Sequence, residues 1–79
     1  STPYSVPDGK KLITVHGYYD HCLNLNFTLA NGQSYTRNNN FHNYMEFLPS
    51  GSEISANFSS NVNPPEFPFY YISGYLINF

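Results

Sequence analysis

From Val15 onward the chain alternates. Val15, Gly17, Tyr19, His21, Leu23, Leu25, Phe27 and Leu29 take the odd positions; Thr14, His16, Tyr18, Asp20, Cys22, Asn24, Asn26 and Thr28 take the even ones. Period two marks a strand with one dry and one wet face, so the odd set is expected inside and the even set outside. An unbroken strand from Ile13 to Leu29, rising about 3.3 Å per residue, would be longer than so small a domain ordinarily accommodates. A break is therefore expected between Tyr18 and His21, and Gly17 marks a point where the first arm can bend or bulge.

The second arm closes a hairpin at Ala30-Asn31-Gly32. A two-residue turn at Asn31-Gly32 would set Leu29 beside Ser34 and leave Tyr35 on the polar side with Thr28. A three-residue loop with Gly32 in the left-handed region pairs Leu29 with Gln33 and Phe27 with Tyr35 instead. Because a one-residue slip turns every side chain to the opposite face, the form that keeps the aromatic rings together is preferred.

The rest of the chain divides at its turn residues. Residues 4 to 6, between Pro3 and Pro7, read as a short edge strand before the Pro7-Asp8-Gly9 turn. Leu12 to Asp20 reads as a strand. Arg37-Asn38-Asn39-Asn40 is loop chemistry, Phe41 to Leu48 alternates as a further strand, and Pro49-Ser50-Gly51-Ser52 stops it. Glu53 to Ser59 alternates again, with Ile54, Ala56 and Phe58 on one side. Residues 60 to 68, with Pro64, Pro65 and Pro68, form an extended connection. Phe69 to Phe79 is apolar on both faces, which suits either the central strand of a sandwich or an edge covered by a partner, and its apolar end is expected to be packed. The pattern predicts a single all-β domain over 1–79: a small antiparallel sandwich or barrel of about six short strands.

Composition narrows the partners. Of the 79 residues only 10% are charged, against about 25% in ordinary soluble domains, so Asn, Ser and Thr must wet much of the surface. Lys10, Lys11 and Arg37 are the whole basic complement, too few to track a phosphate backbone by counterion release; no nucleic acid is expected as partner. No apolar run is long enough to insert as a membrane-spanning helix. The start at Ser1-Thr2-Pro3, without Met, predicts a processed mature form or an excised domain. Two N-glycosylation sequons, Asn26-Phe27-Thr28 and Asn57-Phe58-Ser59, point to a secreted glycoprotein. Cys22, the single cysteine, is read as a small partly buried thiol, or else as a bridge to another chain.

Candidate chemistry is sparse. His16, Asp20, His21 and Cys22 are the one cluster of metal-ligating types, but neighbours on alternating sides of a strand converge poorly and no second pair stands at metal-finger spacing. They are read as polar strand positions, and no cofactor is implied. Neither a nucleophile elbow nor a carboxylate pair flanking a cleft is evident, so an enzyme is not expected. The eight tyrosines and seven phenylalanines exceed what a thin core needs. Rigid amphipathic rings beside adaptable amides make an efficient contact surface. Tyr18 with Asp20, then Asn24 and Asn38, are the expected ligand contacts. The function expected is a secreted binding module recognising a carbohydrate or protein surface through a Tyr/Asn-rich polar face. The alternative is an assembly domain, such as a subunit, effector or toxin, that docks or homo-oligomerises through residues 69–79.

Overall fold

A computed structural model describes residues 3–20, 22–37, 41–42, 45–58 and 69–78. They form an all-β, antiparallel, sandwich-like domain rather than a closed barrel. Its strands are β1 (Tyr4–Ser5), β2 (Lys10–Tyr19), β3 (Leu23–Thr28), β4 (Ser34–Arg37), β5 (Phe41–His42), β6 (Glu46–Leu48), β7 (Glu53–Phe58) and β8 (Tyr70–Asn78). Sheet A runs β1-β7-β3-β4. In sheet B the central β2 carries β5 and β6 along one edge and β8 along the other.

Sheet A follows the sequence pattern. Leu23, Leu25 and Phe27 of β3 are buried and meet Ile54 of β7, while Asn24, Asn26 and Thr28 turn outward. The hairpin takes the bulged register: Phe27 faces Tyr35, their rings stacked 5.0 Å apart, and the Leu29 N–H donates to the Gln33 carbonyl at 2.7 Å. Gly32 sits at φ 93°, a conformation that carries a Cβ only with strain. The expected amino-terminal strand is present as β1, at the edge of this sheet. On the inner side, Leu12, Tyr19 and Leu48 of sheet B and the buried Val6 close onto the sheet A residues to form one core.

The break falls where length required it. β2 ends at Tyr19, and the Leu23 N–H donates to the Asp20 carbonyl at 2.8 Å, turning the chain from one sheet into the other. Cys22, placed on the wet side by strict alternation, is fully buried in this crossing, because it lies in the turn between β2 and β3, outside either alternating strand.

Within β2 the phase slips once more. The ladder to β8 is in register up to Thr14 opposite Gly74 and resumes at His16 opposite Ser73, leaving Val15 as the extra residue of a bulge. Ahead of the bulge the parity is therefore reversed: Thr14, expected outside, is fully buried, and Val15, expected inside, is 42% exposed. Beyond it Gly17 and Tyr19 point inward, as the pattern requires.

Of the expected strand from Phe41 to Leu48, β5 and β6 are described, following one another along the same edge of β2, Phe41 and His42 opposite Tyr18 and Gly17 and Glu46–Leu48 opposite Thr14–Leu12; residues 43–44 lie outside the described residues. Among the described residues β8 is an edge strand of sheet B, paired with β2 alone. Its pairing extends to Asn78 opposite Lys10, with the side chains of Leu76, Ile77 and Asn78 exposed; Phe79, the apolar end expected to be packed, lies outside the described residues.

The two long sides of the sandwich differ. On the β4/β6 side, Glu46 reaches across between the sheets: the Tyr35 hydroxyl donates to Oε2 at 2.7 Å and Arg37 Nη2 to Oε1 at 2.7 Å, while the Glu46 N–H donates to Thr14 Oγ1 at 3.0 Å. On the β1/β8 side no such link occurs among the described residues. An apolar groove of about 370 Å³ opens there, lined by Tyr4, Leu12, Ile54 and the inner row of β8: Tyr70, Ile72, Gly74 and Leu76.

Candidate recognition surface

The outer faces of the two sheets have opposite chemistry. On sheet A the face is amide and hydroxyl. Thr36 Oγ1 donates to Asn26 Oδ1 at 2.9 Å, and Asn26 Nδ2 donates to Asn57 Oδ1 at 2.7 Å, so the side chains form a row across β4, β3 and β7. Asn24 belongs to this face, paired with Asn57 across the strands. Both sequon asparagines are thus engaged with each other, Asn26 half-buried and Asn57 exposed.

On sheet B the outer face is aromatic and aliphatic. Register places Ile13 between Phe47 of β6 and Tyr75 of β8, one row across three strands. Phe47 is 58% exposed and Tyr75 68%. Val15 and Met45 are exposed beside them, and Ile77 continues the surface toward Lys11. Exposed large side chains scattered singly are ordinary; a contiguous set across a sheet is a mark of contact surfaces.

Above this row lies a ring cluster. Tyr18 faces Tyr71 with centroids 6.3 Å apart, Phe69 lies 5.6 Å from Tyr18, and the His16 ring lies 6.0 Å from Tyr71. The Tyr71 hydroxyl is 3.3 Å from His16 Nε2. These tilted geometries suit ring quadrupoles and fix the cluster as a rigid platform.

Asp20 anchors the end of the platform. Its Oδ1 accepts from the Tyr18 hydroxyl at 3.0 Å and its Oδ2 from the Phe69 N–H at 2.7 Å, while its own N–H donates to the Phe69 carbonyl at 3.2 Å. The hydrogen bond to the Asp20 carboxylate, followed by partial desolvation and the nearby negative charge, raises the Tyr18 phenol above its ordinary value of 10.0. The carboxylate thus holds the turn and orients Tyr18, and both of its oxygens are already engaged.

Of the residues expected to share one contact face, Tyr18 and Asp20 come together, but Asn24 stands on the opposite outer face, because the chain crosses between sheets at Asp20–Cys22. Asn38 lies outside the described residues, as does His21. His16 packs against Tyr71 and Cys22 is buried in the core, so these two members of the expected cluster of ligating types face different sides. Ile13, Phe47 and Tyr75 carried no signal alone in the sequence; only strand register aligns them. The chain matches no protein-family profile, no curated protein and no solved structure.

Proposed function

We propose that this chain is a small secreted interaction module that binds a protein surface through the outer face of sheet B. The observation carrying this reading is the Phe47–Ile13–Tyr75 row, an exposed non-polar strip bordered by the Tyr18–Tyr71–Phe69 rings. Tyr, Phe and Met enrich the centres of protein interfaces, and charged side chains are depleted there; this face has that composition. A sugar site asks for amides beside the stacking ring. Here the Asn24–Asn26–Asn57 group lies on the other side of the sandwich, partly committed to its own hydrogen bonds, so a protein ligand is favoured over a carbohydrate.

A second reading, an assembly subunit docking through its last strand, is favoured by the edge position of β8.

Photo-cross-linking separates the faces. With p-benzoylphenylalanine replacing Phe47 or Tyr75, the same partner polypeptide is expected to be captured from source material at both positions, and none when the label replaces Thr28 on the amide face. Capture only from Thr28, or retention of the chain on immobilised glycans that is lost in Asn24→Ala, would overturn the assignment.

A further inference from the structure

The edge of β8 is unusual in what it lacks. Edge strands are ordinarily blunted by charge, proline or brevity, yet β8 is nine residues long and its sequence, Tyr70-Tyr71-Ile72-Ser73-Gly74-Tyr75-Leu76-Ile77-Asn78, contains neither proline nor an ionised side chain at neutral pH. Among the described residues β8 pairs only with β2, so its far side presents a row of backbone donors and acceptors. The apolar groove lined by Ile72, Gly74 and Leu76 runs along the inner flank of that same edge.

The strand is also self-complementary. Laid antiparallel against its own copy about a two-fold axis through Gly74, it sets Ile72 opposite Leu76 on the inner face, and Tyr71 opposite Ile77 and Ser73 opposite Tyr75 on the outer face. Every pair keeps its side chains on the proper face, and an aromatic ring opposite a β-branched side chain is a favourable cross-strand pair. The inner pairs would bring Leu76 of the second copy over the open groove.

Resting on the assembly reading, we propose that β8 pairs antiparallel with β8 of a second copy of this chain, giving a two-fold dimer whose two B sheets are continuous. A closed two-fold contact uses the same β8 edge on both copies, so that edge is satisfied in the dimer and recruits no third copy. The outer apolar strips of the two copies then form one surface of twice the width.

Charge placed across the axis tests this. Ser73 and Tyr75 are both exposed, so S73K/Y75K and S73E/Y75E should keep the wild-type circular dichroism. Sedimentation velocity over a concentration series should show the wild type dimerising, and each like-charged variant associating about tenfold or more weakly, because like charges then face each other across the axis. An equimolar mixture of the two variants should regain the dimer. A wild type that stays monomeric throughout, or a dimer that neither variant loosens, overturns the proposal. A fluorescent peptide of residues 69–78 with a solubilising lysine tail separates the two failures. If the wild type is monomeric but binds the peptide, the edge accepts a strand and only the second copy is wrong; if it binds none, the assembly reading falls too.

Discussion

Gly74 stands opposite Thr14 so closely that a Cβ built on it would lie 2.9 Å from the Thr14 Cα and nearer still to the Ile13 carbonyl oxygen. The contact sits where Val15 bulges out of β2, and it explains why a glycine occurs in an otherwise bulky strand: the two backbones draw together there. Gly74→Ala is expected to cost about 1–3 kcal/mol through overpacking, read as a lowered urea midpoint with loss of amide protection along β2 and β8. Val15→Ser, at the exposed bulge position, should stay within about 0.5 kcal/mol of wild type.

Phe27 is fully buried and stacked on Tyr35 at the centre of sheet A. Truncation to Ala removes the ring and leaves a cavity, a loss of about 3–5 kcal/mol. That is a large part of the roughly 5–15 kcal/mol that holds a domain folded. Denaturant unfolding should therefore place Phe27→Ala close to the unfolding threshold at 37 °C.

The hydroxyl of Tyr18 titrates against Asp20. Because hydrogen bonding to the carboxylate raises the folded phenol above 10.0, the folded state holds this proton more tightly than the unfolded chain. Its contribution to stability is thus complete below the unfolded value and lost as pH rises through the folded one. Ultraviolet titration of the tyrosines should show one fewer late-ionising phenol in Asp20→Ala than in wild type, and an unchanged curve would refute the coupling.

The sequon asparagines make a modification test. Asn26 Nδ2, the atom a glycan would occupy, already donates to Asn57 at 2.7 Å from a half-buried position, whereas Asn57 is exposed. Chain expressed through a secretory pathway should carry glycan at Asn57 and not at Asn26, as glycopeptide mass spectrometry would show. Occupancy at Asn26 alone would contradict the placement of this row.

Much of this fold is legible residue by residue. The alternation of Leu23, Leu25 and Phe27 with Asn24 and Asn26 fixes the faces of β3, and the need to keep Phe27 beside Tyr35 fixes the hairpin register. What alternation cannot carry is a slip of phase. The bulge at Val15 reverses the parity ahead of it, so Thr14 goes inside and Val15 goes out, and Cys22 is buried because it sits in the turn after β2 that crosses between the sheets, where strand alternation does not apply. The same crossing sends Tyr18 and Asn24 to opposite faces, which is why a contact site built on them together is divided in the fold. The Phe47–Ile13–Tyr75 row is drawn from segments far apart in sequence and exists only through pairing.

The proposed contact surface requires that sheet B present a non-polar face to water. Nuclear magnetic resonance with a soluble nitroxide measures this directly, since protons within reach of solvent relax faster. The rings of Phe47 and Tyr75 and the methyl of Met45 are expected to show strong enhancement, while Leu25 and Phe27 show almost none. Protection of Phe47 and Tyr75 in the dilute monomer, with enhancement at Leu25, would contradict the account.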